Sequence, residues 1–214
     1  MGLITQNRKM KKSGVKVYNF TIPAIFTCPM AGECLKGCYA RQGAYIWGNV
    51  AAKHKRNFFD TLEDYFVDAV VYELRKNKVQ RLRIHDAGDF YDKERAEQLA
   101  GHALDIEDDT YLSKWVAIAE RCPDVEFYAY TKMVELFKHY GQMPSNMKII
   151  YSFGGKQDHL IDIENDRHSQ VFEFVEDLNE QGYIDASNDD SLALTENKKV
   201  GLVYHGAKSR KWGV

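Results

Sequence analysis

The sequence predicts an α/β protein, built either as a partial (β/α) barrel or as an open parallel sheet with helices. Segments rich in β-branched and aromatic residues alternate with segments in which apolar residues recur every three or four positions. Strands separated by helices favour parallel pairing through right-handed crossovers. We expect about five to six strands, and both architectures bind ligands at the carboxyl ends of their strands.

The first half of the chain predicts two strands and three helical regions. Val17, Phe20 and Ile22 lie among β-formers that stop at Pro23, and the second strand runs into Gly88, where glycine allows a tight turn. The predicted elements are a strand at 15–22, helices at 45–62 and 63–76, a strand at 79–86, and a helical region at 93–120 with an interruption near 107–109.

The second half continues the same alternation of strands and helices. Small or polar residues follow two of its strands. Lys132 follows one strand, and Gly154 and Gly155 follow the other. The predicted elements are a strand at 125–131, a helix at 133–140, a strand at 147–153, a helix at about 166–181 and a strand at 199–204.

The chain is long enough to bury one substantial core. It has 214 residues, of which 44% are hydrophobic, and two domains would each be small. We therefore predict a single α/β domain over residues 1–214. It carries a polar N-terminal arm at 1–14 and a basic C-terminal tail at 207–214.

The overall charge excludes long-range attraction to polyanions. The 29 basic and 31 acidic residues nearly cancel, so partners must be recognised locally. The basic tail and Trp212 could contact nucleic acid, although a solvated terminus is the more common outcome for a chain end. No apolar run reaches the roughly 20 residues that a bilayer requires, and we predict a cytoplasmic protein without a membrane partner.

Three of the four cysteines lie in one short loop after the first predicted strand. Cys28, Cys34 and Cys38 fall within eleven residues, and Gly32 and Gly37 let the loop curl. Thiolates are soft ligands that suit zinc, copper(I) or iron–sulfur clusters. The crowding is unlike a secreted disulfide framework and predicts a metal site in a reducing compartment.

The number of protein ligands separates the alternatives for this site. A structural zinc ion needs four ligands, and the fourth would be Cys122, His54 or His85. A [4Fe-4S] cluster on three cysteines would instead leave one iron open to a cofactor or substrate. The third alternative is that the cysteines are small buried apolar residues without a metal.

A βα chain with a three-cysteine loop after its first strand resembles the radical SAM superfamily. The usual motif there is Cys-x3-Cys-x2-Cys with an aromatic residue before the last cysteine, whereas this chain has Cys-x5-Cys-x3-Cys with Tyr39 after it. The resemblance implies S-adenosylmethionine as a small-molecule cofactor at the open iron, and an electron donor as a partner. The cofactor contacts that we predict are Tyr39, Ala87, Gly88, Asp89, Phe90, Lys132 and Ser152.

Some of these residues allow other interpretations. Asp86 and Asp89 could bind a divalent cation, or Asp89 could cap the next helix. Lys132 could pair with a carboxylate or phosphate of a ligand, or be an ordinary solvated lysine. His85 could be a satisfied sheet-end histidine, a metal ligand or a proton-transfer group.

The chain also resembles a group of small bacteriophage proteins of uncertain function. The shared motifs are a Cys-x3-Cys-Tyr-Ala loop at 34–40, an Arg-x-His-x-x-Gly-Asp-Phe strand end at 83–90 and a Phe-Tyr-x-Tyr-Thr-Lys strand at 127–132. This resemblance covers residues 20–155. It implies a viral protein that works in the host cytoplasm if a phage encodes it, and it names no reaction.

Three functional hypotheses follow. The first is a radical SAM-like enzyme with an unidentified substrate. The second is a non-catalytic binding module, stabilised by zinc or a cluster, that contacts nucleic acid or a host protein. The third is an iron–sulfur enzyme that uses its open iron as a Lewis acid without radicals.

Overall fold

The computed structural model describes residues 2–6 and 16–204, and one open sheet of eight strands runs through this part of the chain. The strands lie in the order β1-β2-β3-β4-β5-β6-β8-β7. Their bounds are β1 Thr5–Gln6, β2 Tyr18–Phe20, β3 Arg81–Ile84, β4 Glu126–Thr131, β5 Met147–Ser152, β6 His168–Phe172, β7 Ile184–Asp185 and β8 Lys199–Val203.

The sheet is mostly parallel and does not close into a barrel. Neighbouring strands are parallel except for β1 and β2, which pair antiparallel with Thr5 opposite Asn19. The predicted α/β class is confirmed, and of the two architectures the open parallel sheet is the one observed. The strand count is higher than the predicted five to six.

Six α-helices lie within the described residues. The predicted helical region at 93–120 divides into two helices, in agreement with the interruption expected near 107–109. The helix bounds are α1 Gly48–Leu62, α2 Phe66–Lys76, α3 Lys93–Ala100, α4 Thr110–Arg121, α5 Val134–Tyr140 and α6 Val175–Glu180.

The main core lies between the helices and one face of the sheet. Successive side chains of a strand point to opposite faces, so Leu82 and Ile84 of β3 reach the same side and are fully buried there. An aromatic cluster joins β2 to α2 and α4. The rings of Phe20 and Phe66 each pack edge-on against Trp115, with centroids 5.1 and 5.6 Å from the indole.

The opposite face of the sheet has a smaller core. Val17, Tyr128 and Ile150 are buried there under the short 3-10 helix Asp190–Leu194. Beside them the guanidinium of Arg83 lies over the ring of Tyr130, 5.1 Å from its centroid. The polar positions of the sheet therefore collect on the face away from the helices.

One predicted helix is wrong. Residues 166–181 contain strand β6, which pairs with β5 and β8, and only Val175–Glu180 is helical. The strand forms because His168 to Phe172 completes the hydrogen-bond ladder between two neighbouring strands. The same tertiary pairing explains the two strands that were missed, since β1 and β7 have two residues each and leave no periodicity in the sequence.

Part of the predicted polar arm is ordered against the domain. The carboxylate of Glu73 on α2 accepts hydrogen bonds from the backbone nitrogens of Leu3 and Ile4, at 2.7 and 3.1 Å. The buried amide of Asn57 on α1 donates to the carbonyl of Leu3 at 3.1 Å. Residues 7–14 of the arm and the tail at 207–214 lie outside the described residues.

None of the helices in the described segments is both long enough and apolar enough to cross a bilayer.

His85, at the end of β3, is part of the aromatic core. Its side chain is 2% exposed, its ring lies 4.6 Å from that of Phe90, and its Nε2 is 2.6 Å from the hydroxyl of Tyr111. Burial lowers the pKa of His85 to about 3. Of the three interpretations of this residue, the structure favours a sheet-end histidine in the core over a residue of an open site, and its buried Nδ1 has no hydrogen-bond partner among the described residues.

The buried neutral His85 predicts a specific loss of stability in acid. As the pH falls below about 6.5, the unfolded chain binds a proton at this position that the folded chain excludes until about pH 3. Between pH 7 and pH 5 this linkage removes about 2 kcal/mol from the unfolding free energy. In the His85→Asn variant, asparagine can adopt the local backbone conformation, whose φ is +61°, and it has no ring that titrates.

Urea unfolding at the two pH values measures this effect. The unfolding free energy of the wild-type protein is expected to fall by about 2 kcal/mol more than that of His85→Asn between pH 7 and pH 5. Equal losses in the two proteins would show that His85 is protonated in the folded state.

Candidate metal centre

The cysteine loop leaves β2 and crosses the carboxyl edge of the sheet to the end of β5. Ala31 forms an antiparallel bridge with Gly155, just beyond β5. The backbone nitrogens of Gly32 and Cys34 both donate to the carbonyl of Gly154, at 3.2 and 3.0 Å. These backbone bonds hold the loop where ligands bind in open α/β sheets.

The start of the loop also packs on the turn after β3. The nitrogen of Ile22 donates to the carbonyl of Ala87 at 3.2 Å, and the nitrogen of Asp89 donates to the carbonyl of Thr27 at 3.1 Å. Gly88 has a φ of +87°, and a Cβ there would lie 2.4 Å from Cγ1 of Ile22 and 2.7 Å from Oγ1 of Thr27. The glycine therefore provides the space that the loop occupies.

The three thiols are close enough to influence one another electrostatically. Burial raises the pKa of Cys28 to about 12, and the negative charge of Asp89 and the thiols of Cys38 and Cys34 add to the shift. Burial also raises the pKa of Cys34, against the opposing effect of the Lys132 ammonium. Cys28 is therefore protonated at neutral pH, and a metal would have to displace that proton.

The thiols do not converge on one point. Within residues 2–6 and 16–204, no group of three or more His, Cys, Asp or Glu side chains is arranged to hold a single metal ion. Each of the three cysteines of the loop is a free thiol of intermediate exposure. The loop thus brings the thiols to one edge of the sheet without forming a closed site for one ion.

Asp89 has three hydrogen-bond donors of its own. Its carboxylate accepts from the backbone nitrogen of Phe90 at 2.8 Å, the hydroxyl of Thr131 at 2.7 Å and the backbone nitrogen of Lys132 at 2.8 Å. Burial raises its pKa to about 6 despite these bonds. The helix-cap interpretation of Asp89 is wrong, because Asp92 caps α3 by accepting from a backbone nitrogen three residues later.

Lys132 and Ser152 lie together beside the loop. The ammonium of Lys132 donates to the hydroxyl of Ser152 at 2.8 Å and to its carbonyl at 3.2 Å. The aliphatic part of the lysine packs against Gly155, where an added Cβ would lie 3.0 Å from Cβ of Lys132. The lysine is therefore not an ordinary solvated side chain, and its charge acts on Cys34.

Tyr39 belongs to a polar cluster around Asp86. Its hydroxyl donates to the carbonyl of Asp86, while the hydroxyl of Tyr45 donates to Oδ2 of the same residue at 2.6 Å. Arg83 forms an ion pair with Oδ1 at 3.3 Å. Asp86 and Asp89 thus have separate partners.

Sequence patterns gave no reason to include Tyr45 among the predicted site residues, because a single tyrosine carries no motif.

Two predicted cofactor contacts have buried side chains. Ala87 is 5% exposed, and Phe90 is fully buried with its ring 4.8 Å from that of Phe137. Any contact of these two residues with a ligand would therefore involve their backbone atoms.

Two of the three proposed fourth ligands, Cys122 and His85, are not beside the loop. Cys122 follows α4 and precedes β4, so the length of β4, about 17 Å, separates it from the carboxyl edge of the sheet. His85 is engaged by Tyr111 in the core. His54 lies on α1 with its ring 6.1 Å from that of Tyr45, and burial is the main cause that lowers its pKa.

Comparison with known proteins identifies a family but no relative of known activity. A family model described as Gene product 88 matches residues 1–212, and no radical SAM family matches. No curated protein and no solved structure is significantly similar to the chain.

Gly88 provides a test of the packing beneath the loop. In Gly88→Ala, the alanine would be strained at the positive φ of this position, and its Cβ would clash with Ile22 and Thr27. The variant is therefore expected to lower the unfolding free energy by about 3 kcal/mol. Gly101→Ala is the matched control, because Gly101 has a φ of +81° and nothing within 4 Å of an added Cβ.

The control is expected to cost about 1 kcal/mol from backbone strain alone. Urea unfolding followed by circular dichroism measures both values. If the two variants lose the same stability, the loop does not pack against Gly88 as described.

Proposed function

The chain belongs to the Gene product 88 family, a phage-type family, and on this premise we propose that it is an iron–sulfur protein. Cys28, Cys34 and Cys38 would bind a [4Fe-4S] cluster. The observation that carries the proposal is the position of the three thiols. One loop, tied by backbone hydrogen bonds to Gly154, holds them at the carboxyl edge of a parallel sheet.

The number of cysteines near the loop favours a cluster over zinc. A structural zinc ion needs four protein ligands, whereas a [4Fe-4S] cluster can be held by three cysteines with one iron left open. Cys122, the remaining cysteine, lies at the other end of β4, so the loop lacks a fourth cysteine for a closed zinc site.

The charges around the loop also suit a cluster. Three thiolates create negative charge, and the ammonium of Lys132 is the nearby cation that favours the thiolate of Cys34. Lys132 is held by Ser152 and by the packing of its stem on Gly155, so its charge stays in place. Buried charges are stable when they are paired in this way.

We further propose radical SAM-type chemistry at this centre. Cys28, Cys34 and Cys38 would hold the [4Fe-4S] cluster, and with S-adenosylmethionine bound the reduced cluster would supply the one-electron chemistry of radical SAM enzymes. The ammonium of Lys132 would pair with the carboxylate of S-adenosylmethionine, and Ser152 would hold Lys132 in place. An electron donor is required as a partner, and the substrate is left open.

The second candidate is a binding module in which the cluster is only structural. It is favoured by the buried side chains of Ala87 and Phe90 and the internal hydrogen bonds of Asp89, which leave this turn few groups for a cofactor. The two candidates differ in whether S-adenosylmethionine is bound and cleaved.

The cluster proposal predicts the metal content of protein purified without oxygen. Reconstitution with iron and sulfide is expected to give about four irons and four sulfides per chain, with the visible and EPR spectra of a [4Fe-4S] cluster. Cys28→Ser, Cys34→Ser and Cys38→Ser should each lose most of the iron. Cys122→Ser is the matched control and should retain it.

Two results would contradict the proposal. One is stoichiometric zinc in the purified protein with no cluster after reconstitution. The other is a cluster that depends on Cys122 as strongly as on the cysteines of the loop.

The radical SAM proposal predicts reductant-dependent cleavage of the cofactor. The reconstituted protein, incubated with S-adenosylmethionine and dithionite, is expected to release 5′-deoxyadenosine, measured by liquid chromatography. Lys132→Met should retain iron but release at least tenfold less 5′-deoxyadenosine. Lys132→Arg should release more 5′-deoxyadenosine than Lys132→Met, because it keeps the positive charge. A fully loaded cluster that neither binds nor cleaves S-adenosylmethionine would support the structural candidate instead.

A further inference from the structure

One segment next to the cysteine loop carries a net positive charge. Residues 34–59 contain no aspartate or glutamate, whereas the whole chain has a net charge of −2. The cations of this segment are Lys36, Arg41, Lys53, Lys55 and Arg56. The near-neutral charge of the whole molecule therefore includes a region that is locally basic.

Residues 39–59, here called the basic surface, form one packed unit. They comprise the short 3-10 helices Tyr39–Arg41 and Gly43–Ile46 and most of α1. The ring of Tyr45 lies 5.6 Å from that of Tyr39 and 6.1 Å from that of His54, so the three helices are joined. Because Tyr39 directly follows Cys38, this unit borders the candidate metal centre.

The basic surface exposes apolar side chains between its cations. Trp47 is 62% exposed, Ile46 is 64% exposed and Phe59 on α1 is 41% exposed. Lys55 and Arg56 lie on the solvent side of α1, while Phe58 and Thr61 face the core. Ile46 and Trp47 are adjacent in the chain, so their exposed side chains are accessible to a partner that packs against them.

Two of these cations lack an internal counter-ion. In the described part of the chain, no carboxylate forms an ion pair with Arg41 or Lys55, whereas Lys36 pairs with Glu33. Arg56 is in a long ion pair with Oδ2 of Asp60 at 4.0 Å, and the other oxygen of Asp60 accepts from the hydroxyl of Tyr65 at 2.7 Å. The charges of Arg41 and Lys55 are therefore available to a ligand.

We infer that the basic surface binds single-stranded nucleic acid. Proteins that bind single strands combine cations along the phosphate backbone with aromatic rings on which bases stack. Trp47 and Phe59 provide such rings, and Arg41, Lys55 and Arg56 provide the cations. An acidic protein would match the charge but would not need exposed rings. The inference goes beyond the proposed function and does not depend on a cluster.

Fluorescence anisotropy of a labelled single strand of about 20 nucleotides, as DNA and as RNA, tests this inference. The full-length protein is expected to bind, with an affinity that falls steeply as salt rises because phosphate contacts release counterions. Arg41→Glu with Lys55→Glu should weaken binding at least tenfold. Trp47→Ala should weaken it by roughly fivefold or more, the loss of one stacked base.

The matched control lies on α2. Tyr72 is 63% exposed and the ammonium of Lys76 is 5.4 Å from its ring, so Tyr72→Ala with Lys76→Glu removes a similar pair elsewhere. This control should change the affinity by less than twofold. The inference is overturned if the wild-type protein does not bind either strand, if it binds polyglutamate equally well, or if the control weakens binding as much.

Binding by Cys28→Ser separates this result from the metal proposal. That variant is expected to bind the strand like the wild-type protein, even though it should lack iron. Loss of strand binding in a folded Cys28→Ser protein would overturn the inference that the basic surface binds on its own.

Discussion

The buried carboxylate of Asp89 connects the three segments on which the candidate metal centre depends. Its oxygens accept hydrogen bonds from Phe90, Thr131 and Lys132, which joins the end of β3 to the end of β4. Its own backbone nitrogen donates to Thr27 at the start of the cysteine loop. Burial raises its pKa to about 6 even with these bonds in place, so the net cost of holding its charge at pH 7 is about 3 kcal/mol.

This connection explains why the site lies at one edge of the sheet. The helices cover one face with a fully buried apolar core, and the strands place their polar residues on the other face and at their ends. The ends of β4 and β5 then bring Lys132 to Ser152. The cysteine loop crosses this edge and is bonded to the carbonyl of Gly154, so it lies against the end of β5.

Electrostatics relate the two proposed sites to one another. The turn after β3 places the negative charge of Asp89 near Cys28, whereas Lys132 places a positive charge near Cys34. Beyond the last cysteine, the basic surface presents cations and exposed rings to solvent. A polyanion bound to the basic surface would therefore lie beside the candidate metal centre, where the proposed enzyme would hold its substrate.

The sequence by itself determined the α/β class, most strands and helices, and the cysteine loop, because periodicity and local spacing encode them. It also selected Lys132 and Ser152 as candidate site residues at strand ends, and the structure shows that they are in contact. Only the tertiary structure decided that β6 is a strand, that Asp89 joins β3 to β4, and that Cys122 lies far from the loop. Those features depend on contacts between residues distant in sequence, which no local pattern records.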